Sequence, residues 1–417
     1  MSFTDFRLHP DLLRGVAALG FETPTPIQRD AIPPVMAGHD VVACAMTGSG
    51  KTAAFLLPIM HRLLAAPRGV TRALVIAPTR ELAAQIDEHR QELGRHTRLT
   101  GAAVFGGVGM GPQEQAFRRR VDILVATPGR LLDHMRLPYA KLDGLEVLVL
   151  DEADRMLDMG FLPDIRRVLA QLPARRQSLL FSATMPAPIV TLARDMLRDP
   201  VTLAVERPAA PAVGVTHTVY PVAHELKSAL LVALLARPEA RSVLVFTRTK
   251  HRANRLADSL ARHGVKAERI HGNRSQAQRT AALAGFKDGR FQVLVATDIA
   301  ARGIDIEALS HVVNFDVPGL PEEYIHRVGR TARAEAVGDA VTFVSPEEET
   351  DLRGIERAVG RRFPRTTLPG FDYAQRPAER LEIPLAARIA AIRAQKAEER
   401  RRARINAERR AGRVPAR

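Results

Sequence analysis

Residues Ala45–Thr52 read AMTGSGKT, and this stretch decides the fold. An apolar segment, DVVACA (40–45), leads into it, and a helix-like run, AAFLLPIMHRLL (53–64), leaves it. Strand, glycine loop and helix in that order make a P-loop. Its successive backbone N–H groups turn inward around phosphate oxygens, an approach that a Cβ-bearing loop obstructs. Thr47, Gly48, Ser49 and Gly50 form the candidate cradle. Lys51 offers a point charge to the β/γ-phosphates, and the Thr52 hydroxyl faces Mg²⁺. The usual first glycine of such a loop is Ala45 here. Further on, DEAD (Asp151–Asp154) closes a hydrophobic strand, LEVLVL (145–150). Nucleoside triphosphate hydrolysis needs a carboxylate for the metal beside the phosphate cradle. Asp151 suits Mg²⁺, and Glu152 suits polarisation of the attacking water. The two motifs together imply a nucleoside triphosphatase.

At 417 residues the chain suits two domains plus an extension. A hydrophobic content of 46% supplies packed cores and excludes disorder throughout. The net charge of +15 and pI of 10.8 point to a polyanionic partner. A single cysteine, Cys44, excludes a disulfide framework and a cysteine-based zinc site. Its place in the apolar strand marks it as a buried spectator. The opening MSFTDFRLHP lacks the regions of a signal peptide, and no apolar run approaches the ~18 residues of a membrane span. A cytoplasmic location is expected.

Up to residue 205, ALVIAP, VDILVAT, LEVLVLDEAD and SLLFSAT read as buried parallel strands alternating with helical patterns. Ligands bind at the carboxyl ends of such strands. ERPAAPAVG (206–214) reads as a linker. A second α/β series follows at 215–367, with RSVLVFT, AERIHG, FQVLVATD, HVVNFD and GDAVTFVS as strands and no second glycine loop. A basic tail is expected from residue 368 to 417. Residues 376–417 hold 13 Lys or Arg against 5 Asp or Glu, a net +8, so more than half of the excess charge sits there. Leu385–Arg410 reads as a solvated helix or a disordered basic arm. Counterion release gives such an arm affinity for nucleic acid without sequence preference.

Further motifs stand in one order: GFETPTPIQ (20–28), PTRELA (78–83), Gly106-Gly107, TPGR (127–130) and SAT (182–184). In the second series come VFTRTK (245–250), HGNRSQAQR (271–279), ATDIAARGIDI (296–306) and HRVGRTAR (326–333). With the P-loop and DEAD, this set resembles the DEAD-box RNA helicases, and most the bacterial RhlE-like branch, over residues 1–365. The resemblance implies two tandem RecA-like parallel-sheet α/β domains of helicase superfamily 2, with ATP and Mg²⁺ as cofactors and RNA as partner. It implies that Gln28 selects ATP, an amide being able to bond adenine N6 and N7 together. Phe21 and Phe3 would pack at the base, and Asp305 would touch the ribose. Arg330 and Arg333 would be arginine fingers, and their spacing of three suits one face of a helix. The usual glycine between Thr331 and Arg333 is Ala332. His326, Ser182 and Thr184 would couple hydrolysis to RNA.

The RNA side reads as a backbone track. Arg80, Gly107, Thr127 and Arg130 in the first domain, with Arg248, Arg279, Thr297 and Gly303 in the second, suit phosphates and 2′-hydroxyls rather than base edges. With no Trp and 5% aromatics, a stacking platform for single strands is not expected. The leading expectation is an ATP-dependent RNA helicase indifferent to sequence; the same motifs also serve an ATP-gated RNA clamp. A DNA translocase is disfavoured by DEAD, PTRELA and the Gln28 segment. The tail suits RNA or a ribosomal or RNA-decay protein.

Overall fold

The structure, a computed structural model, describes residues 1–45, 48–65, 69–204, 215–301, 309–331 and 338–375. Within them the short apolar runs become strands buried along their whole length. ALVI, ILVA and VLVLD in the first half, and VLVF and VLVA in the second, are buried at every residue. Uninterrupted apolar strands need cover on both faces, which parallel sheets receive from their crossover helices.

The first sheet comprises β1 (Val41–Cys44), β2 (Ala73–Ile76), β3 (Gly101–Val104), β4 (Ile123–Ala126), β5 (Val147–Asp151), β6 (Gln177–Ser182) and β7 (Val201–Ala204). Their order is β3-β4-β2-β5-β6-β1-β7. The second comprises β8 (Val215–Pro221), β9 (Val243–Phe246), β10 (Ala267–Ile270), β11 (Val293–Ala296), β12 (His311–Asn314) and β13 (Gly338–Val344), in the order β10-β11-β9-β12-β13-β8. The pairs within both sheets are parallel. Register places the site: Asp151 pairs with Phe181 and Cys44 with Ser182, so DEAD, SAT and the P-loop leave three adjacent strands at the same edge.

The first sheet is covered on one face by a core containing Phe55, Ile27 and Leu12, and on the other by one containing Leu148, Ile165 and Leu192. In the second, Leu230, Leu256 and Phe343 cover one face, and Ile270, Phe286 and Leu309 belong to the opposite core.

Three strands escaped the reading of apolar runs: β3, β7 and β8. β3 (GAAV) is only partly buried, and β8 (VTHTVYP) alternates inside and outside as an outer strand does. The expected tail starts too early at residue 368. Leu368 is 3% exposed and joins the core of the second sheet, with Phe371 and Tyr373 packed against it. The Tyr373 hydroxyl accepts the Leu368 N–H at 2.9 Å. The linker 206–214 and the Leu385–Arg410 stretch lie outside the described residues.

Candidate active site

The chain enters the helix Lys51–Leu64 through Gly50, whose φ of 92° only glycine adopts without strain. A Cβ at Gly50 would lie 2.5 Å from Gln28 Nε2 and 2.9 Å from Thr25 Oγ1, so the segment Thr25–Gln28 closes the loop from behind. Gln28, 4% exposed, accepts the Thr25 N–H at Oε1 (2.9 Å) and donates from Nε2 to the Gly50 carbonyl (3.1 Å). The Thr25 hydroxyl donates to the Ser49 carbonyl at 2.8 Å. Lys51 is 5% exposed, and its Nζ donates to the Ala45 carbonyl at 2.9 Å. Thr52 follows in the first helical turn, half-buried. Phe3 is buried beneath Phe21, their rings stacked at 6.4 Å, and Phe21 stays exposed. Cys44 is half-buried rather than buried, its thiol donating to the Ala183 carbonyl.

Asp151 ends β5 at 2% exposure, and its Oδ1 has no hydrogen-bond partner. Burial pushes its pKa up to about 6; Lys51 opposes that shift and the neighbouring Glu152 adds to it. An orphaned carboxylate oxygen, with the Thr52 hydroxyl in the first helical turn after the P-loop, suits a hard cation such as Mg²⁺, which takes one or two carboxylates and completes its shell with water and phosphate. Among the described residues no group of three or more His, Cys, Asp or Glu gathers as a metal cage. Glu152, 3% exposed, sits at φ 57° and ψ 52°, a left-handed conformation unusual outside glycine. Arg155 Nη1 donates to Glu152 Oε2 at 2.5 Å.

Ser182 and Thr184 converge on Asp154. The Asp154 N–H donates to Ser182 Oγ at 3.1 Å, and Ser182 Oγ donates to the Thr184 carbonyl at 2.7 Å. Both the N–H and the hydroxyl of Thr184 donate to Asp154 Oδ2, at 2.9 and 3.0 Å. Asp154 thus ties the strand carrying the carboxylates to the SAT turn.

On the neighbouring strand ends, Arg80 lies against Gly107, whose φ is 81°; a Cβ there would come within 1.9 Å of Arg80 Nη1. Thr127 caps the helix Pro128–Met135, and Arg130 Nη1 donates to the Val108 carbonyl at 3.0 Å. After β9 of the second sheet Arg248 is exposed, donating from Nη2 to the Val317 carbonyl, with Glu348 and Asp351 each 3.8 Å away. Thr297 is half-buried after β11. Arg279 departs from the expected track. Its Nη2 pairs with Glu81 Oε2 at 2.8 Å, and Gln276 Nε2 donates to Glu81 Oε1 at 3.0 Å. The Q-x-x-R pair therefore grips the glutamate of PTRELA across the two sheets.

The helix Pro321–Val328 carries His326, and its C-cap is Gly329. Arg330 therefore lies beyond the helix, contrary to the helical spacing expected for Arg330 and Arg333. The chain is drawn away by Thr331, which bridges to Leu309 and donates from its hydroxyl to the Leu309 carbonyl at 2.9 Å. Arg330 is 3% exposed and lines one small cavity with His326, Phe246 and Asp298. Thr47, Gly303, Asp305, Ala332 and Arg333 lie outside the described residues. Sequence reasoning passed over Glu81, Asp154, Arg155 and Arg327. Arg327, 2% exposed, holds Asp298 through Nε at 2.6 Å and Nη2 at 2.8 Å, and donates from Nη1 to Asn314 and to the Asp316 carbonyl. Glu81, Asp154 and Arg327 stand inside motifs already quoted and Arg155 directly follows one; a charged residue at an apolar strand end or helix turn was the available signal.

No described helix is long and apolar enough to cross a membrane. Residues 25–192 match the DEAD/DEAH box helicase family, and residues 226–335 match the helicase conserved C-terminal domain. The chain is 42% identical over 374 residues to the DEAD-box ATP-dependent RNA helicase CshA of Bacillus subtilis, covering 90% of this chain and 76% of that one. It is 41% identical over 382 residues to CshA of Geobacillus kaustophilus, covering 92% and 82%. Among solved structures, S. cerevisiae Dbp5 bound to RNA and ADP BeF3 superposes with a TM-score of 0.80 at 32% identity, covering 88% of this chain and 95% of that one. Two parallel RecA-like sheets, the P-loop beside DEAD, and relatives matched along nine-tenths of the length lead to one assignment: the chain belongs to the DEAD-box ATP-dependent RNA helicases.

Proposed function

We propose that ATP and RNA both bridge the two sheets, and that closure around them parts a short RNA duplex or remodels an RNA–protein complex without reading sequence. The observation that carries this is the grip of Gln276 and Arg279 on Glu81. It joins the two sheets beside Arg80, one of the donors assigned to the RNA backbone. A ligand that spans the same junction favours the closed state, so ATP and RNA raise each other's affinity. The S. cerevisiae Dbp5 structure with RNA and ADP BeF3, which superposes along most of this chain, supports the same reading.

In this reading Gly48, Ser49 and Gly50, with Thr47, turn N–H groups toward the phosphates, and Lys51 neutralises them. Thr52 and Asp151 would hold Mg²⁺, which supplies charge neutralisation on phosphate oxygens when bound. Glu152 orients the attacking water and accepts its proton. Arg330 and Arg333 bring positive charge to the γ-phosphate from the second domain, an effect worth about 10³–10⁵ in rate where such fingers are measured. Phe21, with Phe3 behind it, supports the base, Gln28 reads the adenine edge, and Asp305 takes the ribose. Ser182, Thr184 and His326 carry the state of the phosphates toward the RNA donors Arg80, Gly107, Thr127, Arg130, Arg248, Thr297 and Gly303. The tail 376–417 adds phosphate contacts through its net +8, or a surface for a ribosomal or RNA-decay protein. A cytoplasmic site of action accords with a single cysteine in the chain. The RhlE-like placement rests on motif wording alone, and the relatives named above are CshA proteins.

Duplex release measured beside ATP hydrolysis tests the reading. ATP-dependent release of a short RNA duplex, with hydrolysis stimulated by RNA and not by DNA, is the expected result. RNA-stimulated hydrolysis without release would make the protein an ATP-gated clamp instead.

A further inference from the structure

We propose that Arg155 is the positioning residue for the Glu152 carboxylate, fixing the orientation in which that carboxylate meets the attacking water. The inference rests on the assignment of Glu152 as the proton acceptor made above.

The geometry is local and tight. Glu152 is the N-cap of the short helix Ala153–Asp158, and Arg155 stands three residues later on its first turn. Nη1 reaches Oε2 at 2.5 Å, and the two side chains are 1% and 4% exposed, so water neither screens the pair nor competes for it. A charge-assisted bond of this kind is directional and stops rotation of the carboxylate about its terminal bond. The backbone makes such a restraint necessary. At φ 57° and ψ 52° Glu152 occupies a left-handed conformation that an L residue leaves unless its surroundings hold it there. The Asp151–Glu152 turn is held on the other side by Ser182 and Thr184 through Asp154. Arg155 is linked to that network as well, since its own N–H donates to Asp154 Oδ1 at 3.1 Å. One arginine therefore touches the proton acceptor with its side chain and the coupling aspartate with its backbone. Its cation also balances two adjacent buried carboxylates, which Lys51 alone would leave in excess.

The test compares Arg155→Met, which keeps volume without charge, and Arg155→Lys, which keeps a cation for one carboxylate oxygen, in the full-length protein. Arg155→Met is expected to lower kcat of RNA-stimulated hydrolysis ~100-fold, with KM for ATP and the Kd of a fluorescent ADP within about two-fold of wild type. Arg155→Lys is expected to recover activity to within ~10-fold of wild type. In a Glu152→Gln background, single-turnover rates should fall no further on adding either Arg155 substitution, because the group being positioned is already disabled. A wild-type kcat in Arg155→Met overturns the proposal. So does an equal further loss in the Glu152→Gln background, or a loss of ADP affinity parallel to the loss of kcat, each of which marks a structural bridge. Should Arg155→Met fail to fold, the non-additivity of Arg155→Lys with Glu152→Gln decides alone. Near-wild-type hydrolysis by Glu152→Gln itself would instead show that the assignment of Glu152 is wrong, a result separable from every outcome above.

Discussion

Gln28 closes the loop and, in the function proposed above, would also read the base. Its amide bonds the Thr25 N–H and the Gly50 carbonyl, which leaves one N–H and one lone pair, the complement of an adenine edge. Gln28→Ala removes both functions, so KM for ATP is expected to rise ~10-fold, the equivalent of one lost hydrogen bond, and the preference for ATP over GTP to narrow. Steady-state kinetics with both nucleotides check this; equal use of ATP and GTP by the unaltered protein would refute the assignment. In the proposed function, Glu152 and Lys51 separate chemistry from binding. Glu152→Gln keeps shape and loses the base, so turnover should drop about 10²–10⁴-fold while ATP and RNA still bind. Lys51→Ala empties a buried cation from the cradle, and its first effect should be on nucleotide affinity, read by equilibrium titration.

At the scale of elements, the outer strand β8 is not left open. The segment around Arg365 pairs with it, the Val219 N–H donating to the Pro364 carbonyl and the Thr366 N–H to the Val219 carbonyl, both at 2.9 Å. That pairing lays Phe363 flat on His217, ring centroids 4.8 Å apart, while His217 Nδ1 bonds the Tyr324 hydroxyl at 2.7 Å on the helix that carries His326. Burial, with Arg361 adding to it, pushes the His217 imidazole down to about 4 from 6.5. Between those values the unfolded chain binds a proton that the folded one refuses, so stability is complete above pH 6.5 and declines toward pH 4. Thermal melts across that range should show a shallower decline for His217→Gln than for wild type; parallel curves would contradict the burial argument. None of this stack was legible in the sequence, because its three aromatic rings come from segments far apart in the chain. The central strands were legible, since a strand covered on both faces has no polar residue to interrupt it. β3 and β8 were not: GAAV offers little apolar bulk, and VTHTVYP interleaves polar residues. The P-loop and DEAD could be read because neighbouring residues do the work. Arg327 and Glu81 could not, because each is defined by a partner far away in sequence that only the fold brings near; Arg155 stands three residues from its partner, but only the fold shows the pair to be buried. The helical spacing assigned to Arg330 failed for a related reason: Gly329 ends the helix, and Thr331 is pulled to Leu309.

For the whole molecule, the decisive contact is the one between sheets. Glu81 is 5% exposed and receives both Gln276 and the guanidinium of Arg279, a residue 9% exposed. Burial lowers the pKa of Arg279, Glu81 opposes the shift, and Arg80 adds to it, so the glutamate balances two arginines at the junction. Arg279→Met leaves both sheets with their own cores but removes the charge that closes them together. If Arg279 acts as a clasp, its loss penalises only the closed state. RNA affinity measured with a non-hydrolysable ATP analogue should then fall ~10-fold, about 1.4 kcal/mol, while RNA affinity without nucleotide stays near that of wild type. Reciprocity requires the RNA-induced gain in affinity for the analogue to shrink by the same factor. Fluorescence anisotropy of a labelled single-stranded RNA, with and without the analogue, measures both arms. An equal loss in the two conditions would mean that Arg279 meets RNA phosphate directly, as its motif led us to expect, and that the bond to Glu81 gives way when RNA arrives.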